Sequence, residues 1–171
     1  PPMTRQSGIS LLSMLVVAAV LLAGLSYALM GSTPAVSGQL NAQRATQLVA
    51  QAQLIVHRIT KCAVDYPNGD NGMGIHKAYP ADASPDPAPL AVNDLVCPGN
   101  GQNLWNGVDG VYAPAALAQF GSWTYTNASP ATISITATDP GSLAATLSRA
   151  AAQIGPAASA SADTLSVKVI E

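Results

Sequence analysis

The chain has 171 residues, of which only 9% are charged, and its net charge is -2. After an apolar segment is subtracted, this length leaves room for one small domain. Its seven Lys and Arg residues are scattered and form no basic patch, so binding of nucleic acid through counterion release is excluded.

The first element is an uncharged apolar segment, residues 9–30 (ISLLSMLVVAAVLLAGLSYALM). As a helix it would span about 33 Å, which matches a bilayer core of about 30 Å. Arg5 precedes it and no basic residue follows before Arg44, so the positive-inside rule places the N-terminus in the cytoplasm. We expect a transmembrane helix. A cleaved signal peptide is the alternative, but its apolar core is usually about 7–15 residues long.

Apolar positions resume after a breaker at residues 31–34, and their later steps are three and four residues. They are Leu40, Ala45, Leu48, Ala52, Ile55, Ile59 and Cys62. Polar residues occupy the other faces, namely Gln43, Gln47, Gln51, Arg58 and Lys61. This pattern predicts one long helix from about Ile9 to about Cys62, kinked near Pro34 and ending near residues 65–67.

Residues 65–98 are rich in Pro, Gly, Asp and Asn, which predicts a long loop. The chain has two cysteines, Cys62 at the end of the helix and Cys97 at the end of the loop. In an oxidising space, a disulfide between them would contribute about 3–4 kcal/mol by constraining the unfolded chain. We favour this disulfide over two free thiols or a metal site.

The rest of the chain predicts a small sheet and one helix. Alternating apolar residues indicate three half-buried strands, around Trp123 and Tyr125, around Ile133, Ile135 and Ala137, and around Leu165, Val167 and Val169. A helix is expected from Asp139 as N-cap to Gly155, with Leu143, Leu147 and Ile154 on one face. We expect the aromatic residues to form the core, namely Trp105, Tyr112, Phe120, Trp123 and Tyr125. The predicted fold class is α+β, with the long helix packed on an antiparallel sheet.

No catalytic constellation is visible in the sequence. His57 lies in the long helix and His76 in the loop, and neither belongs to a known catalytic or phosphate-binding motif. We therefore predict that the chain is not an enzyme and needs no cofactor. Oxygen-bearing residues in the loop are candidates for Ca²⁺, although turn formation explains the same residues better. They are Asp65, Asn68, Asp70 and Asn71.

A short basic leader ending in Arg5-Gln-Ser-Gly8, followed by the apolar run from Ile9, resembles the prepilin processing site of type IV pilins and type II secretion pseudopilins. The resemblance also covers the helix with an apolar first half and an amphipathic second half. It implies that a prepilin peptidase cuts between Gly8 and Ile9 and methylates Ile9. Ser13 stands where the family usually has Glu, which implies a minor or atypical subunit.

The resemblance implies four segments: leader 1–8, transmembrane half 9–30, amphipathic half 31–64 and globular domain 65–171. Small residues such as Ala18, Ala19, Ala23 and Gly24 would let helices approach closely in a filament core. The expected partners are copies of itself or other pilin subunits, the peptidase and the inner membrane. The expected location is the inner membrane with an extracytoplasmic domain, and then a filament in the periplasm or at the cell surface.

Pili, secretion, DNA uptake and adhesion systems share this subunit plan. The alternative is a monomeric membrane-anchored module that binds a glycan or peptide, with Trp105 and Tyr112 as stacking platforms.

Overall fold

The computed structural model describes residues 33–66, 89–126, 130–139 and 141–170. The chain divides into two units at Leu40, and the sheet and core belong to the second unit, Asn41–Glu171. Within the ranges just given, no helix is long and apolar enough to cross a membrane. The predicted transmembrane segment 9–30 lies outside those ranges.

Helix α1 spans Thr33–Asp65 and contains 33 residues. The helix ends at Asp65, which confirms its predicted end. It ends there because Tyr66 precedes Pro67, and a residue before proline disfavours helical backbone. Of the predicted breaker, Thr33 and Pro34 lie in the first turn of α1, whereas residues 31 and 32 are not described. Proline is tolerated in a first turn because the N–H that it lacks would have no partner there.

A five-stranded antiparallel sheet forms the second layer, with the strand order β1-β4-β5-β7-β6. Its strands are β1 (Leu90–Ala91), β4 (Thr124–Thr126), β5 (Ala131–Thr136), β6 (Ala158–Ala160) and β7 (Thr164–Ile170). In the central register Ile133 pairs with Tyr125 on one side and with Val167 on the other. The α+β class and the three predicted strands are therefore confirmed. The edge strands β1 and β6 were not predicted.

The predicted loop 65–98 is wrong in its last third. A 3-10 turn, η1 (Val92–Asp94), follows β1, and β2 (Val96–Cys97) pairs with β3 (Gln102–Asn103) as a small separate hairpin. The apolar residues Val92 and Leu95 are fully buried and hold this segment against the core. The prolines predicted a loop here, but burial of these two aliphatic side chains orders the segment.

The predicted helix near Gly155 is shorter than expected and is α2 (Ala144–Ile154). It begins five residues after Asp139 because Gly141 has φ +86°, a left-handed conformation that an α-helix does not contain. Gly155 ends it as predicted, with φ 95° and its N–H donated to the carbonyl of Ala151. Leu143 and Leu147 are buried as expected, and Ile154 packs at the edge of the core.

The core lies between α1, α2 and the inner face of the sheet. Six of the predicted apolar positions of α1, from Ala45 to Cys62, are at most 4% exposed, whereas Leu40 is 46% exposed. Five of the six, all except Cys62, meet Tyr125, Ile133 and Leu165 in one hydrophobic cluster, to which α2 contributes Leu147 and Ala150. Helix α1 and the sheet therefore bury their apolar faces against each other, and α2 completes the core.

Candidate functional site

A disulfide joins Cys62 in the last turn of α1 to Cys97 in β2, with their Cα atoms 5.8 Å apart. Both cysteines are buried, at 4% and 3% exposure. The predicted pairing is therefore confirmed, and the described residues include no free cysteine. The bond fixes the end of the long helix to the hairpin β2–β3.

Gln51 connects the middle of α1 to two distant segments. Its side-chain oxygen accepts a 2.8 Å hydrogen bond from the Trp123 indole N–H, and its amide nitrogen donates a 2.8 Å bond to the Ala115 carbonyl. The sequence pattern predicts that Gln51 lies outside the apolar stripe, and the structure shows it half-buried beside that stripe. A glutamine beside an apolar stripe is long enough to reach the core boundary, and it fixes the helix against the sheet through directional bonds.

Arg58 is also predicted to lie outside the apolar stripe, and its side chain is only 12% exposed. It makes two 2.6 Å contacts with the carboxylate oxygens of Asp109, one from each terminal nitrogen. Its guanidinium also lies 5.8 Å from the centroid of the Trp105 ring. The hydrogen bond from Arg58 lowers the pKa of the exposed Asp109 carboxyl below its usual value of 3.8.

A cleft of about 210 Å³ lies between the last turns of α1 and the hairpin β2–β3. The disulfide, Tyr66 and the Arg58–Asp109 pair form part of its wall, and four of the other eight lining residues are Asn or Gln. These are Asn100, Gln102, Asn103 and Asn106. One feature of the sequence points to this wall, a high density of amide side chains and glycines between Pro98 and Gly110.

The aromatic core is confirmed except at one position. Trp105, Phe120, Trp123 and Tyr125 are at most 7% exposed, whereas Tyr112 is 68% exposed. The Trp105 indole N–H donates a 2.7 Å bond to the Val92 carbonyl. Trp105 is therefore a core residue and not a stacking platform for a ligand. The prediction that Trp105 and Tyr112 are stacking platforms is wrong for Trp105.

Several predicted site residues lie outside the described ranges. They are the processing residues Gly8 and Ile9, the assembly residues Ser13, Ala18, Ala19 and Gly24, the loop residues Asn68, Asp70 and Asn71, and His76. Pro34 is the second residue of α1. His57 is exposed on α1, as expected of a solvated histidine.

Of the four calcium candidates, Asp65 alone is described. It is the last residue of α1 and forms an ion pair with Lys61, one helical turn earlier. Among the residues that the structure describes, no group of His, Cys, Asp or Glu side chains is placed to hold a metal ion.

Comparisons with protein-family models, curated proteins and solved structures found no match to this chain.

Proposed function

We propose that the chain is a structural subunit, minor or atypical, of a type IV pilus-like or pseudopilus filament, assembled through its N-terminal helix. Such a subunit acts by packing against its neighbours and needs no catalytic group. The proposal rests on the resemblance of residues 3–30 to a prepilin N-terminus and on the way helix α1 is built into the domain.

The observation that carries the proposal is the anchoring of α1. Its apolar positions from Ala45 to Cys62 are buried, Gln51 bonds it to Trp123 just before β4, and a disulfide fixes its end. Only residues 31 and 32 separate this helix in sequence from the uncharged run 9–30. A filament subunit needs its domain to be fixed to the helix that anchors it, and these contacts provide such a connection.

The exposed face of α1 also suits contact with other subunits. From Gln43 to Thr60 its exposed side chains, which include Gln47 and Gln53, contain no Lys, Arg, Asp or Glu, where a solvated helix usually presents Lys and Glu. The exposed charges Lys61 and Asp65 lie at the end of the helix and pair with each other. The centres of protein interfaces are depleted in charged residues. A neutral helix face therefore favours burial between subunits over permanent exposure to water.

Processing of the N-terminus tests the proposal directly. The protein is isolated from its native membrane and from the sheared surface fraction, and its N-terminal residue and intact mass are determined without reducing agent. We expect methylated Ile9 as the first residue and a mass two hydrogens below that of the fully reduced chain.

A Gly8→Val variant should accumulate uncut and yield no filaments by electron microscopy. Gly38→Ala is the matched control, because Gly38 is exposed in helix α1 and a Cβ added there meets no atom within 4 Å. Retention of Met3 in the native protein would refute the filament proposal and leave the anchored binding module. A chain that begins after Met30 would be a secreted domain.

A further inference from the structure

The cleft at the end of α1 is lined by paired charges and neutral polar groups that have no role in the filament proposal. Its charged residues form two internal pairs, Arg58 with Asp109 and Lys61 with Asp65. Each cation in the wall is thus neutralised by a carboxylate beside it. A wall without net charge gives neither an anion nor a cation an electrostatic advantage.

The remaining polar groups of the cleft are neutral donors and acceptors. Within the described residues, the side-chain nitrogens of Asn100 and Gln102 have no hydrogen-bond partner, although their oxygens accept bonds from Gln102 N–H and Asn106 respectively. Those accepted bonds fix the orientation of both amides. Each amide nitrogen can therefore donate to a ligand, and the carboxylates of Asp65 and Asp109 line the same cleft.

Tyr66 provides an aromatic surface in the same cleft. It is half-buried, and a Cβ placed on Gly99 would lie only 1.9 Å from its ring carbon Cγ. The ring therefore occupies space that any side chain at position 99 would fill. An aromatic ring held in place presents a negative π-face to the C–H groups of a ligand.

The wall is rigid. The disulfide joins its two sides, and the Asn103 side chain bonds both the Asn93 carbonyl and the Trp105 N–H. Two contacts from Arg58 hold Asp109 in place. Fixed donors lose little entropy when a ligand binds, so a small cleft of this kind can select a ligand by hydrogen-bond geometry.

From these observations we infer that the cleft binds one neutral sugar residue of a glycan. A pyranose has the required combination, a C–H face that stacks on Tyr66 and neighbouring hydroxyls. The hydroxyls can accept bonds from the side-chain N–H groups of Asn100 and Gln102 and donate to the Asp65 carboxylate. The volume of about 210 Å³ suits a single ring, being below the roughly 300–1,000 Å³ of clefts for drug-sized ligands. An extended peptide fits less well, since it places alternate side chains in successive pockets and a cleft of this volume holds about one ring.

The test uses the full chain in a zwitterionic detergent without a sugar headgroup, because glucoside and maltoside detergents carry the chemistry under test. Saturation-transfer NMR is recorded with glucose, galactose, mannose, N-acetylglucosamine and N-acetylgalactosamine. Three further probes test other ligand classes. Glucosamine is a cationic sugar, N-acetylneuraminic acid is an anionic sugar, and an acetylated tripeptide amide represents a peptide. We expect at least one neutral sugar to bind and the three other probes to bind more weakly.

Two variants and two matched controls locate the binding. Tyr66→Ala should weaken it about tenfold through loss of the stacking surface. Gln102→Ala should weaken it about 3- to 10-fold through loss of one hydrogen bond, and this exposed position carries little risk to folding. Gln53→Ala and Gln153→Ala replace exposed glutamines outside the cleft and should leave binding unchanged. Far-UV circular dichroism confirms that each variant is folded.

The inference is overturned if no neutral sugar binds, if binding survives in both cleft variants, or if a charged or peptide probe binds more tightly. It does not depend on filament assembly. A chain cut after Gly8 that binds no sugar would disprove this inference alone, and an uncut chain that binds sugar through Tyr66 would disprove the filament proposal alone.

Discussion

Replacing Gln51 by leucine should destabilise the docking of α1 on the sheet by about 2 kcal/mol. Leucine has a similar volume but cannot accept the bond from the Trp123 indole or donate to the Ala115 carbonyl. Trp123 is only 3% exposed, so its N–H would lose its partner in a buried setting, which costs about 1–3 kcal/mol. Urea unfolding of the full chain, followed by far-UV circular dichroism, measures the change.

A double-mutant cycle isolates the bond from the general effect of the substitution. In a Trp123→Phe background the indole N–H is already absent, so Gln51→Leu should then cost only about 1 kcal/mol, for the bond to Ala115. Gln53→Leu is the matched control on the exposed face and should change stability by no more than about 0.5 kcal/mol. Strict additivity of the Gln51 and Trp123 substitutions would show that the bond does not contribute to docking.

Three further outcomes are expected. Replacing both Cys62 and Cys97 by alanine should lower stability by about 4 kcal/mol, from the loop entropy of a sequence separation of 35, and a loss below about 1 kcal/mol in urea unfolding would contradict this origin. Thr146→Val should raise the melting temperature, because the Thr146 hydroxyl is buried without a hydrogen-bond partner among the described residues, and a lower value would indicate a hidden partner. Because Arg58 depresses the pKa of Asp109, their interaction stabilises the fold above the usual value of 3.8 and is lost as pH falls through the lower folded-state pKa. The stability difference between wild type and Asp109→Asn should therefore shrink at the acid end of a pH series, and a constant difference would refute the pairing.

Local patterns were sufficient to predict the main elements of the fold. The three- and four-residue spacing from Ala45 to Cys62 predicted the buried face of α1, since burial of one helical stripe imposes that period. The alternation in β4, β5 and β7 predicted strands for the corresponding reason. The tract Tyr66-Pro67 predicted the end of the helix, because the restriction before proline acts within one residue.

The same local patterns misplaced residues whose position depends on distant partners. Val92 and Leu95 form a buried anchor in a segment that its prolines predicted to be a loop. Tyr112 is exposed although aromatic residues usually lie in a core. In each case burial depends on contacts with residues that are distant in sequence. The local spacing of apolar residues contains no information about those contacts.

The sequence by itself determined the α+β class and the buried stripe of α1, because periodicity acts over a few neighbouring residues. With two cysteines in the chain it favoured their pairing, which the structure confirms. It also carries the prepilin-like N-terminus on which the filament proposal rests. The tertiary structure alone decided that Gln51 reaches Trp123, that Arg58 pairs with Asp109, and that Tyr66 and the amides share one cleft. These contacts join residues up to 72 positions apart, and only the packing of helix on sheet brings them together.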